Sequence, residues 1–194
     1  MRTLVYVVIV ALGYLLPGVA SAQQEDAKLV VLRIPDSSKD TEIRLAKILL
    51  EKLKVNASLT SAKGKPEDVV LRMQFGAVEE KGLPKIVIFI DTRIVRRDKN
   101  GTAVSQVISI ASFADVKIKQ GKKAGILVWA NKLNAQAIPM RVYLAGNKLG
   151  LGRNLLNSTN FPLAENAFTA AFTRILRAWS AVLADMKKRD FLES

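Results

Sequence analysis

Apolar positions along the chain follow two rhythms. The strongest is helical and lies near the C-terminus. Phe168, Phe172, Ile175, Trp179, Val182 and Met186 recur at spacings of four and three, which predicts an amphipathic helix over 162–189. Pro162 suits a first turn, Glu165 the positive helix N-terminus, and Lys187-Lys188-Arg189 the end where cations oppose the dipole. The same spacing predicts a helix over 43–55, on Ile43, Ala46, Leu49, Leu50 and Leu53, with Leu45 and Ile48 widening the stripe. The preceding segment, 36–42, is rich in N-cap residue types. A further helix over 122–138 places Ile126, Trp129, Ala130, Leu133 and Ala137 on one face and stops at Pro139. Between the helices the period falls to two. Val69, Leu71, Met73 and Phe75 alternate with Val70, Arg72 and Gln74, and Val104, Gln106, Ile108 and Ile110 with Ser105, Val107, Ser109 and Ala111. Lys85–Ile90 is nearly continuous and β-branched, as a central strand would be. Asn100-Gly101 favours positive φ and predicts a hairpin. A second hairpin is expected where 140–144 and 149–155 flank Ala145-Gly146-Asn147-Lys148. Asn56 and the 58–66 segment read as a polar loop, and 27–35 as a short strand or an extended arm.

The resulting order is α-β-β-β-α-β-β-α. It predicts an α+β fold, an antiparallel sheet packed by helices, in one domain over 23–194, with 23–39 as an arm or an extra strand. Aromatics at helical spacing belong to a core far more often than to a ligand box, so Phe168, Phe172 and Trp179 are expected to pack on the strands. Ala164, Ala167, Ala171, Ala178 and Ala181 form a second, small-residue face where a neighbouring backbone can approach.

The first segment has another character. Arg2 precedes the apolar run Leu4–Leu16, and Pro17-Gly18-Val19-Ala20-Ser21-Ala22 follows. These are the parts of a secretory signal peptide, and the run is short for a bilayer span. Small residues at Ala20 and Ala22 place cleavage before Gln23, with 1–22 removed. The expected location is the bacterial periplasm or the medium.

Composition narrows the chemistry. The 194 residues contain no Cys and no His. That excludes disulfides, thiolate metal sites, lipoprotein anchoring, Ser-His-Asp triads and HExxH zinc sites. Carboxylates are the remaining acid–base groups. Asp91 and Asp115 stand at strand ends that hairpin pairing could bring together, yet both suit solvated turn positions better than a hydrolytic pair. Glu79-Glu80 lacks calcium-loop spacing. The glycines of Gly146–Gly152 lack the phosphate-loop pattern and read as turn and strand glycines. Asn56-Ala57-Ser58 and Asn157-Ser158-Thr159 match the glycosylation sequon by coincidence. No catalytic residue, metal site or cofactor is expected.

Charge is the one functional signal above background. Thirty Lys and Arg against 17 Asp and Glu give +13. Arg93, Arg96, Arg97 and Lys99 crowd one hairpin, and Lys117, Lys119, Lys122 and Lys123 crowd the exit of the next strand. Such clusters attract phosphate, anionic lipid or acidic protein. Nucleic acid is the less favoured partner, because aromatics make up 6% and none interleaves with these cations.

Three features together resemble the YbjN family, whose fold is similar to that of type III secretion chaperones. They are the short helix with Trp129-Ala-Asn-Lys-Leu133-Asn134 before a strand, the hairpin from Met140 to Leu151, and the closing helix with Phe168, Phe172 and Trp179. The resemblance covers roughly residues 40–187. It implies an α/β sandwich without catalytic residues and an adaptor or chaperone-like role. Relatives of this shape are often acidic, whereas this chain is basic and carries an export signal, so only the fold is carried over. The expected function is an exported, non-enzymatic adaptor of the bacterial envelope that binds a protein partner through a sheet or helix surface, with a homodimer among the options. The alternative is an electrostatic binder of anionic membrane surfaces or envelope polyanions.

Overall fold

The computed structural model describes residues 30–62, 65–78, 83–136, 140–145 and 148–193. The signal-peptide segment with Ala20, Ala22 and Gln23 lies outside the described residues, as do Glu79, Glu80, Pro139, Gly146 and Asn147. The elements run α1 (Ser38–Leu53), β1 (Ser58–Ala62), β2 (Lys65–Phe75), β3 (Ile86–Arg97), β4 (Ala103–Ala114), α2 (Lys123–Asn134), β5 (Arg141–Ala145), β6 (Lys148–Ser158) and α3 (Glu165–Lys188). The six strands form one sheet in the order β1-β2-β3-β4-β6-β5, and every neighbouring pair is antiparallel. The α+β class holds.

One strand departs from the sequence expectation. Residues 58–62 are not loop but an edge strand, with Ser58 opposite Arg72 and Thr60 opposite Val70. Ser-Leu-Thr-Ser-Ala has neither alternation nor a β-branched run, so its pairing comes from the exposed edge of β2 and not from its own pattern. Of the expected arm, the described part from Val30 onward joins the chain ahead of α3 through a bridge from Val31 to Ala164. Val30 accepts a hydrogen bond from the Glu165 amide, and Leu32 donates to Leu163. Leu32 thereby packs into the core, 2% exposed.

All three helices cover one face of the sheet. Phe168, Phe172, Ile175, Trp179 and Met186 of α3 are fully buried. They meet Leu71 and Met73 of β2, Ile86, Ile88 and Ile90 of β3, Ile108 and Ile110 of β4 and Leu149 and Leu151 of β6 in a single cluster. The indole Nε1 of Trp179 donates to Ser112 Oγ at 3.1 Å, and that hydroxyl donates to the Leu151 carbonyl. The stripe of α1 is rotated from the expected one. Leu45, Ile48 and Leu49 are buried, whereas Ile43 and Leu50 face solvent.

Buried polar side chains stand where the backbone lacks partners. Glu42, on the buried face of α1, accepts from the Thr92 amide and hydroxyl. It does so where β2 has left β3, since their pairing ends at Leu71–Ile90. A carboxylate thus takes the place of a strand and satisfies a backbone donor that burial would otherwise make costly. Asn134, at the end of α2, treats Val142 of edge strand β5 likewise. Its amide donates to the Val142 carbonyl and accepts from the Val142 amide, both at 2.8 Å.

Candidate functional site

Side chains alternate across a strand, so placing the isoleucines under the helices sends their neighbours to the other face. Among the described residues no helix covers that face. Cross-strand partners read off one row as Gln74, Val87, Phe113, Gly150, Tyr143, and the next as Ser58, Arg72, Phe89, Ala111, Gly152, Arg141. A third row brings Asp91, Ser109 and Asn154, and a fourth Arg93, Val107 and Leu156, the last 57% exposed.

Three aromatics cross these rows diagonally. Phe89 meets Phe113 with ring centroids 6.1 Å apart, and Phe113 meets Tyr143 edge-on at 5.8 Å. All three are half-buried. The Tyr143 ring lies flat over two glycines. A Cβ on Gly150 would sit 2.6 Å from that ring and one on Gly152 3.0 Å from it, so the strand must be bare there for the ring to lie down. Gly150 and Gly152 are strand glycines that make room for the ring. Burial pushes the Tyr143 phenol above its usual value.

At one end of this face a depression of about 400 Å³ opens. Phe89, Phe113 and Val87 line its apolar part, and Arg72, Lys85 and Lys148 stand against the single carboxylate of Asp115. Arg72 is directed along its strand by a hydrogen bond to Gln74 Oε1 at 3.1 Å. Such a site can hold an apolar group and an anion together. Sequence reading missed this constellation because its cations and rings come from four strands. Only the register brings them together.

The basic clusters singled out in the sequence occupy opposite ends of the sheet, since Arg97 pairs with Ala103 at the β3–β4 turn while Ala114 ends β4 at the far side. In the first, Arg97 donates to the Gly101 and Asp36 carbonyls, and Arg93 lies 3.4 Å from Asp91. Arg96 and Lys99 are exposed and make no ion pair among the described residues. Arg93, Arg96 and Arg97 flank a depression of about 470 Å³ beside the first residues of α1, Ser38 and Lys39. The second cluster is partly neutralised. Lys119 and Lys122 both reach Asp190, just beyond α3. The Lys119 hydrogen bond holds the Asp190 carboxyl below the usual aspartate range. Lys117 and Lys123 remain exposed.

Asp91 and Asp115 do not meet. Asp115 aligns with Lys85 and Asp91 with Ser109. Six positions of β3 separate them, about 20 Å at strand rise. Asn157 is wholly buried and bonded to Leu32 and Leu163, so its sequon presents no acceptor for a glycan. Among the described residues no group of three His, Cys, Asp or Glu side chains converges on a metal-sized site. No helix there is long and apolar enough to cross a membrane.

No family model matches the chain, and neither does any curated relative. Among solved structures it is similar to YbjN from E. coli, described as a proposed transcription regulator. The TM-score is 0.49 at 12% identity, over 84% of this chain and 100% of that one. The resemblance is structural.

Proposed function

We propose that this chain is an exported, non-enzymatic adaptor of the bacterial envelope that binds a protein partner through the helix-free face of its sheet. One observation carries the reading. Phe89, Phe113 and Tyr143 form a half-exposed aromatic chain, with Arg72, Lys85 and Lys148 beside its Phe89–Phe113 end, on a face that no helix covers among the described residues. Aromatic and Arg side chains are the groups that dominate protein interfaces. The export segment motivates the location, in periplasm or medium. Photo-crosslinking in intact cells tests both parts. A photoreactive residue at 89 or 113 is expected to form an adduct in the periplasmic fraction or the medium, and one at Arg174 or Arg177, exposed on α3, is expected to form none. Adducts only at the α3 positions, or a protein retained in the cytoplasm, would overturn it.

The second reading, an electrostatic binder of anionic surfaces, has its footing at the β3–β4 turn. There Arg96 and Lys99 stand free of ion pairs among the described residues, and Arg96 lines the depression beside the N-terminus of α1, whose dipole also favours anions. Co-sedimentation with phosphatidylglycerol vesicles that survives Arg96→Glu with Lys99→Glu would count against it.

A further inference from the structure

We infer that the depression at the Lys85–Lys148 end of the helix-free face receives an acidic, extended segment of a partner protein. One aromatic or branched apolar side chain of that segment would rest on Phe89 and Phe113. The inference rests on the adaptor reading above and gives the partner a chemistry.

Three features select such an occupant. First, the site is concave and its rings are already placed. The Tyr143 ring lies over Gly150 and buttresses Phe113, which in turn holds Phe89. An apolar anchor therefore meets a surface that needs little ordering, which lowers the entropy cost of binding. At about 400 Å³ the space exceeds one large side chain, so the flanking residues of the segment also lie within it. Second, the charge is one-sided. Lys85 and Lys148 flank Asp115 from its two sides, and Arg72 stands across the depression, giving three cations to one carboxylate among the described residues. Neither lysine forms an ion pair with Asp115 among the described residues, and both are exposed. They are available to carboxylates on either side of an apolar anchor. Third, the same charges disfavour a second copy. A two-fold contact through this face would set Arg72, Lys85 and Lys148 near their own images, in a chain already carrying +13.

Three fluorescein-labelled peptides test the inference: an aspartate-rich hexapeptide with one central tryptophan, the same peptide with alanine for tryptophan, and the same with asparagine for every aspartate. The purified protein is expected to bind the first at least about tenfold more tightly than either control. The double variant Lys85→Glu with Lys148→Glu, at two exposed positions that leave the core untouched, should lose about tenfold or more. Amide shift perturbations should centre on β3 and β4. Equal affinity for the alanine peptide would reduce the site to charge alone. Equal affinity for the asparagine peptide would reduce it to apolar contact, and no binding would remove it; each overturns the inference. So would displacement of the peptide by phosphatidylglycerol but not phosphatidylcholine vesicles, or a dimer that must dissociate before the peptide binds. These failures leave the adaptor reading standing as long as cross-links form at 89 and 113. Loss of those cross-links defeats that reading independently.

Discussion

Along β3, Ile86, Ile88 and Ile90 disappear beneath helices, while Val87, Phe89 and Asp91, one position over, stay in reach of solvent. β4 repeats the division, with Ile108 and Ile110 covered and Val107, Ser109 and Ala111 half-exposed. One set of strands thus carries two surfaces under different demands. The helix side must be dry and close-packed, because the stability of a chain without disulfides comes from it. The open side is relieved of that duty. It still contains three aromatic rings and two bare glycines, an arrangement that contributes little to the core and gives the surface a defined shape. The contrast separates the residues that hold the fold from those available for contact.

Substitution tests the contrast most sharply at its centre. Trp179→Ala should cost about 3–5 kcal/mol in urea unfolding, since it empties a filled site and leaves Ser112 without its donor. Phe113→Ala, on the open side, should cost less, about 1–2 kcal/mol, because that ring is only half-buried. Equal costs would erase the division between the faces.

A smaller effect is expected from Gly150→Ala, about 1–2 kcal/mol, by driving the Tyr143 ring off the strand. The cost should shrink in a Tyr143→Ala background, and a double-mutant cycle measures the coupling. Full additivity would show that the ring does not depend on the bare strand.

The helix side also carries a displaced carboxyl. Burial opposes the charge on Glu165, but hydrogen bonds from Lys52 and Arg44 prevail and hold its carboxyl below its ordinary value of 4.5. A carboxyl depressed in the folded state binds fewer protons there than in the unfolded chain. Its contribution is therefore complete above the unfolded value and is lost as pH falls through the lower folded value. Urea midpoints measured downward from neutral pH should show this loss, and Glu165→Gln should flatten it. An unchanged acid limb would remove Glu165 from the account. The smallest change belongs to Arg96→Ala with Lys99→Ala, which should leave stability within about 0.5 kcal/mol in the same assay.

The two sides also differed in how far the sequence disclosed them. The α3 stripe was legible because six large apolar residues kept helical phase, and each is buried. The inward residues of β2 and β4 were legible from strict alternation. Phe89 was not, because it sits in a run so uniformly apolar that both faces of its strand read as interior. Which face lacks helices depends on where every connection goes, and no local pattern records that. Phe113 and Tyr143 are thirty residues apart in sequence and become neighbours only through the register of β6 between their strands. The first strand was missed for the opposite reason, since its five residues carry almost no hydrophobic signal. The cation clusters were legible as composition, but the carboxylate that answers Lys119 and Lys122 comes from beyond α3, too distant for spacing to reveal.

The amide of Asn134 has a bearing on how copies of this chain can join. By occupying both main-chain groups of Val142, it takes one rung of the β5 margin away from any added strand, while among the described residues β1 borders the other margin. An added chain would find fewer free rungs along β5, so edge-to-edge growth on that side starts at a disadvantage.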